Sequence, residues 1–308
     1  MSSEVEKLTL PVFMGTLLNW ALFGVLVVQV WIYYTAFPRD RTLTKILVAV
    51  VLLIEILGTL GNTRDTIRIF GAGWGDIAVL DDVGWAWFSV PIIGSISAAI
   101  GQSFFAWRIY IIGNGNLYIP VAIIAITLCQ LGAGIWTGVE ICLAERFSEL
   151  QFTNVTATAL WLASTSACDL IIVSSTVFYL RRASKPEFKK TKAVLSRIIM
   201  VTVETGLLCA LFAIFDLYLF ATYKGANYHL ALCIELSKIY SNSILLIFNS
   251  RAHIGHTPPN ETTRYTSSDG PFRSGTRIPI QVQVELNRIT SDSTLHTDSG
   301  GYEGKLEV

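Results

Sequence analysis

Charge is scarce in this chain of 308 residues: Asp, Glu, Lys and Arg together make up 15%, against 52% hydrophobic residues. Soluble proteins carry about 25% charged residues, so a water-facing surface is excluded over most of the length. Histidine is scarcer still, with four copies. His229 falls at the end of an apolar run, and His253, His256 and His296 follow the last one. From such positions no HExxH, Ser/His/Asp or Cys/His set can be assembled. The chain is therefore read as no enzyme, with no metal site and no cofactor. Its 23 Lys and Arg are matched by 23 Asp and Glu, which removes the basic surface of a nucleic-acid binder. No glycine run ends in Lys-Ser/Thr, which removes the phosphate loop. The five cysteines (Cys129, Cys142, Cys168, Cys209, Cys233) all fall inside or at the edge of apolar runs. They read as small packing residues rather than a disulfide framework.

What remains is apolar sequence in long blocks. Crossing about 30 Å of hydrocarbon takes about 20 apolar residues, and seven windows qualify: 11–36, 44–62, 84–110, 118–143, 157–180, 197–222 and 228–249. The expected fold is all-α, an integral membrane bundle of seven helices over residues 11–250, after a short N-terminal segment 1–10. That segment holds Glu4, Glu6 and Lys7 rather than a basic leader, so the first helix is expected to serve as the targeting signal. Lys and Arg in short loops stay cytosolic. With the N-terminus outside and the C-terminus inside, 12 of them lie on the inner side and 5 outside. The inner set includes Arg39, Arg41, Arg108 and a cluster from Arg181 to Arg197. Trp85 and Trp87 then sit at one interface, with Trp31, Trp107 and Tyr110 at the other. The membrane is expected to be the plasma membrane or one of the secretory pathway. On the outer side, Asn154-Val155-Thr156 is a glycosylation sequon. From residue 251 to 308 the chain turns polar, with 14 Ser and Thr in 58 positions, and reads as a disordered cytosolic tail.

Polar residues within the spans are costly, at least about 2.5–3.5 kcal/mol for a charge near mid-bilayer. Each therefore implies a partner, a cavity or a function. In the last span Glu235, Lys238, Asn242 and Asn249 fall within a stripe of about 60° at 100° per residue. Other spans carry similar seams: Glu55, Thr59 and Asn62; Ser95 and Gln102; Thr158, Thr165, Asp169 and Thr176. Glu55, Asp169 and Lys238 lie at similar depth. A buried pair between Lys238 and either Asp169 or Glu55 is expected, with Glu235 assisting from three residues before the lysine. Glu55, Gln102, Asp169, Glu235, Lys238 and Asn242 together form the candidate polar pocket. Near the inner face, Arg108 and Glu204 form a candidate latch between two helices. Gly134 and Gly138 make a GxxxG packing face, and Pro91 is expected to bend the third span.

Several segments together resemble a known family. They are Pro38-Arg39-Asp40, Gln102 followed by Phe104-Phe105-Ala106-Trp107-Arg108-Ile109, Cys168-Asp169-Leu170, Arg181-Arg182 with Thr191-Lys192, Glu204-Thr205-Gly206, and Lys238-x-Tyr240-x-Asn242-Ser243 ending in Asn249-x-Arg251. They resemble an abundant group of seven-helix membrane proteins of mushroom-forming fungi, whose defining domain has no known function. The resemblance covers about residues 10–255. It implies a multi-pass, receptor-like topology and no particular ligand or reaction.

A receptor or sensor fits the topology, the basic stretch Arg181–Arg197, which would engage anionic lipid or a cytosolic protein, and the polar tail. The features of a rhodopsin-like hormone receptor are missing, since Arg108 has no preceding acid and the last span has no Asn-Pro turn. A transporter or channel for small solutes or protons is the alternative. It would use the excess of intramembrane acids (Glu55, Glu140, Asp169, Glu204, Asp216, Glu235) over the single Lys238. A retinal protein is disfavoured because the third span offers no carboxylate as counter-ion.

Overall fold

Backbone N–H and C=O groups have no water to bond inside hydrocarbon, so an apolar run that crosses a membrane closes its hydrogen bonds as a helix. The seven runs do so. In the computed structural model, residues 2–74, 76, 78–79, 82–144, 155–183, 192–223 and 228–251 are described. Every long element among them is helical: α1 (Ser2–Ala36), α2 (Thr42–Ile67), α3 (Ile93–Ile112), α4 (Tyr118–Ala144), α5 (Val155–Ala183), α6 (Lys192–Thr222) and α7 (Tyr228–Asn249). All seven contain stretches long and apolar enough to cross a membrane, which makes this a multi-pass membrane protein. The expected tail from residue 252 onward, the sequon at Asn154 and residues 184–191 of the Arg181–Arg197 stretch lie outside the described residues.

Four boundaries differ from the sequence expectation by five residues or more: the start of α1, the end of α2, the start of α3 (Ile93, not 84) and the start of α6 (Lys192, not 197). α1 begins at Ser2, not at residue 11, and continues through Pro11; Leu8 and Leu10 already belong to its apolar run. α2 continues to Ile67 instead of ending at residue 62. In the added turns the threonine hydroxyls are satisfied by back-bonding, Thr63 Oγ1 donating to the carbonyl of Thr59 (2.7 Å) and Thr66 Oγ1 to that of Asn62 (2.8 Å). The extension carries Asp65 inside, where its carboxylate accepts the backbone N–H of Trp85 at 2.9 and 3.1 Å. The connection between α2 and α3 is thereby pinned to the end of α2. Gly84 beside it has φ +56°, and a Cβ there would stand 2.5 Å from Asp65 Oδ1, so the turn requires glycine on both counts. Pro91 lies in a π-helical turn, Phe88–Ile92, that leads into α3. The wider turn absorbs the N–H that proline lacks.

The helices contact one another in chain order around a ring, except that α3 and α7 lie toward the centre. Of the most apolar stretch of each helix, 67% is buried in α3 and 72% in α7, against 28–50% in the other five. The outward faces carry Leu53, Leu128, Leu211 and many similar side chains. Lipid tails are as apolar as leucine, so these residues gain nothing by leaving the lipid. Close packing and polar satisfaction drive the helices together instead.

Gly134 and Gly138 show the close packing. A Cβ on Gly134 would lie 2.5 Å from the Ser95 side chain, and one on Gly138 would lie 2.7 Å from Ile92 and 2.9 Å from the Trp87 carbonyl. Gly132, on the same helix, has nothing within 4 Å. We predict that Gly138→Ala lowers stability by about 1–3 kcal/mol, the usual cost of overpacking, while Gly132→Ala changes it little. Thermal unfolding in detergent checks this, and equal midpoints for the two variants would refute it.

Candidate functional site

Four helices meet around two buried carboxylates. Glu55 on α2 is fully buried. Its Oε2 lies 2.5 Å from Lys238 Nζ on α7, an ion pair with neither side chain exposed. The remaining lone pairs are occupied as well. Ser237 Oγ donates to Oε2 at 3.2 Å, while Ser241 Oγ (2.6 Å) and Ser97 Oγ (3.1 Å) donate to Oε1. Lys238 Nζ also reaches the Glu55 carbonyl at 3.4 Å and lies 5.9 Å from the ring centre of Phe23 on α1. One carboxylate thus gathers donors from α3 and α7 onto α2.

Asp169 on α5 is the second centre. It accepts Gln102 Nε2 from α3 at 3.2 Å and a short hydrogen bond from the Tyr240 hydroxyl on α7. Gln102 Oε1 accepts Thr127 Oγ1 from α4 at 3.1 Å. One to two turns away Gln130 repeats the pattern, accepting Thr165 Oγ1 at 2.9 Å and donating to the Ser95 carbonyl at 3.2 Å. The expected lysine partner is therefore Glu55, and Asp169 belongs to a separate cluster held by tyrosine and glutamine. Tyr240 and the three serines were not among the expected site residues. Spacing around Lys238 marks Ser237 and Ser241 alone, and nothing in the sequence ties Ser97, on α3, to the lysine.

Two expected members of the pocket sit differently. Glu235 is buried, yet neither of its carboxylate oxygens has a hydrogen-bond partner, so it does not bond to Lys238. Asn242 turns to α1, donating to the Leu22 carbonyl at 3.2 Å as well as to the Lys238 carbonyl at 2.8 Å. It belongs to a seam in which Asn249 donates to the Gln29 carbonyl (2.9 Å) and Asn19 to the Ile234 carbonyl (3.5 Å). Three asparagines thus tie α1 to α7 through backbone carbonyls. On α6, Asp216 is fully buried and accepts only the Cys233 thiol, at 3.0 Å, on one oxygen.

The candidate latch does not form as expected. Arg108 donates to Thr202 on α6, and Glu204 is exposed. Thr202 and Glu204 are two residues apart, about 200° around a helix, so a face that brings one to Arg108 turns the other away. Where the chain ends α7, a different ion pair is present. Arg251 NH2 lies 2.6 Å from Asp40, which also accepts the Tyr33 hydroxyl (2.8 Å) and the Arg41 backbone N–H (2.9 Å). The Arg251 guanidinium stacks on Phe37 and Phe248, 4.7 and 5.5 Å from the ring centres. Asp40 joins the α1–α2 connection to the end of α7.

Among the described residues, no group of three or more His, Cys, Asp or Glu side chains is placed to hold a metal ion. Residues 165–253 match DUF6534, a family of unknown function. The matched stretch contains Asp169, Asp216, Glu235, Lys238 and Tyr240, whereas Glu55 and Gln102 lie before it. No curated protein and no solved structure matches the chain.

Two predictions follow from these pairs. Removing one partner of a buried pair strands a charge, at a cost of about 3–5 kcal/mol. Glu55→Gln or Lys238→Met alone should therefore lower the thermal midpoint sharply, and the double variant should recover most of the loss. A double variant no better than the worse single one would show that the pair is not the coupled unit. At the other site, the Arg251 hydrogen bond holds the Asp40 carboxyl down at about 2 against the opposing effect of burial. A carboxyl lowered on folding contributes stability above its unfolded value of about 3.9, and that contribution is lost as pH falls toward 2. Wild type should lose stability across this window, and Asp40→Asn should flatten that part of a melting-against-pH profile.

Proposed function

We propose that this chain is a receptor-like membrane sensor, a binding protein rather than an enzyme, with its N-terminus outside and its C-terminus inside. The observation that carries the reading is the Glu55–Lys238 pair, fully buried and saturated with serine donors. A buried ion pair is poor value for stability, since apolar residues of similar volume often do as well or better. An ionisable pair kept deep within a span is better accounted for by a function. In a sensor, the pair and the adjacent Asp169–Tyr240 cluster form the element with two arrangements, and a ligand that binds one arrangement more tightly shifts the population. The basic stretch from Arg181 to Arg197 would then meet anionic lipid or a cytosolic protein, with no role for nucleic acid. The plasma membrane or a secretory-pathway membrane suits such a role. The resemblance noted in the sequence supports placing the chain among the seven-helix proteins of mushroom-forming fungi.

A small-solute or proton transporter is the second reading. It is favoured by the buried, unpartnered oxygens of Glu235 and the unpartnered Oδ1 of Asp216, since acids short of donors inside a membrane mark ion and proton paths.

Two measurements on one preparation separate these readings. Purified protein is screened for thermal stabilisation against peptide pheromones, sterols, sugars and ions. The same protein in proteoliposomes is then tested for proton flux with a pH-sensitive dye. The sensor reading expects a ligand whose binding raises the midpoint and no flux above empty vesicles. At 100 times its Kd such a ligand should add about 2.7 kcal/mol, an effect reduced in the Glu55→Gln/Lys238→Met double variant. Flux that disappears in Glu235→Gln would overturn it in favour of transport.

A further inference from the structure

A groove of about 1030 Å³ runs between α2 on one side and α3 and α4 on the other, ending where α7 ends. α2 meets α1 more extensively than it meets α3. The size of the groove matches the upper end of small-molecule sites, about 300–1,000 Å³. Its walls are chemically divided. Arg41, Arg108 and Arg251 line one end, accompanied by Asp40 as the single acid, while Leu47, Ala99 and Leu131 line the rest. Three guanidinium groups against one carboxylate leave that end positive even with Arg251 and Asp40 paired. Arg41 is exposed, and Arg108 is half-buried with one nitrogen on Thr202. Each guanidinium has five N–H donors, so donors remain for an anion.

The length of the groove selects among anionic occupants. From Arg108 to Ile96, both in its wall, is twelve residues of helix, about 18 Å at 1.5 Å per residue. One leaflet of hydrocarbon is about 15 Å deep, half of the whole core. A positive head at the membrane boundary above an apolar slot one leaflet deep has the form of a phospholipid. Trp107, largely exposed beside it, is the residue type that settles at the same level.

We propose that this groove binds one anionic phospholipid, with the phosphate held by Arg41, Arg108 and Arg251 and an acyl chain lying between α2, α3 and α4. The site is separate from the Glu55–Lys238 core and from the basic stretch at Arg181–Arg197.

Native mass spectrometry of the detergent-purified protein with equal amounts of dioleoyl phosphatidylglycerol and dioleoyl phosphatidylcholine tests the proposal. The expected result is a single bound lipid with about tenfold preference for phosphatidylglycerol, the size of one charge-assisted hydrogen-bonded contact. Arg41→Gln and Arg108→Gln should each remove most of that preference. Ala99→Trp, which fills the slot and leaves the arginines in place, should abolish the bound lipid. Free glycerol phosphate should not compete. Equal binding of the two lipids, or a bound lipid that survives Ala99→Trp, would overturn the proposal. Full competition by glycerol phosphate would do so too, by showing a phosphate site without an acyl slot. If Arg108→Gln fails to fold, Arg41→Gln decides the headgroup contact, since Arg41 is exposed.

Discussion

A carboxylate and an ammonium inside hydrocarbon must find each other or not be there, and the meeting of Glu55 with Lys238 constrains much of the bundle. Their contact fixes the rotation of α2 and α7 about their own axes, because turning α2 by one residue would carry Glu55 toward lipid, and turning the central α7 would take Lys238 away from α2 toward another neighbour. The carboxylate has lone pairs beyond the one the lysine uses, and each is met by a hydroxyl: Ser237 and Ser241 from the turns flanking the lysine, Ser97 from α3. The small residues near this point follow from the same constraint. Gly58, one turn along from Glu55, would place a Cβ 4.0 Å from Lys238 Nζ and 3.1 Å from Ile93. Gly101 gives way to the Tyr240 ring in the same manner. Charge sets the rotation of the helices, and glycine lets their backbones come close enough for the charges to meet.

Around that centre the polar groups form connected sets rather than isolated pairs. Thr127 belongs both to the Gln102–Asp169 cluster and to the wall of the lipid-facing groove. Only two hydrogen bonds, Thr127 to Gln102 and Gln102 to Asp169, separate a side chain on the groove from the buried aspartate that Tyr240 holds. The asparagine seam between α1 and α7 is of another kind, since its acceptors are backbone carbonyls already engaged in their helices. Such bonds add adhesion without adding charge, which suits the most extensive helix contact in the molecule.

Much of the architecture was legible because hydropathy is a one-dimensional signal. The last four helices end within a few residues of the expected limits, since the length of an apolar run is set by membrane thickness alone. What the chain could not show in one dimension was direction around the bundle. Glu55 and Asp169 have similar depth, so depth left the partner of Lys238 undecided. The decision lies in which helix faces α7 with its acid, a property of the assembled ring. The stripe from Glu235 to Asn249 was read as facing one interior, yet a stripe about 60° wide on a central helix borders several neighbours. Lys238 on it meets α2, whereas Asn242 and Asn249 meet α1. The failed Arg108–Glu204 latch has the same origin, since proximity along α6 says nothing of the side a residue occupies.

The order in which the ribosome delivers these residues adds a requirement of its own. Glu55 precedes Lys238 by 183 positions, and at about 5–20 residues per second the glutamate is made roughly 10–40 s before its partner exists. Its first built-in companion, Ser97, follows after 42 positions, within roughly 2–8 s at the same rate. For the interval between, α2 is a helix with an unmatched acid and an α3 hydroxyl as its only native ally. The insertion machinery must therefore shelter α2 until the seventh helix arrives. The folding of this chain is thus a problem in timing, settled only when the last of the seven helices is released.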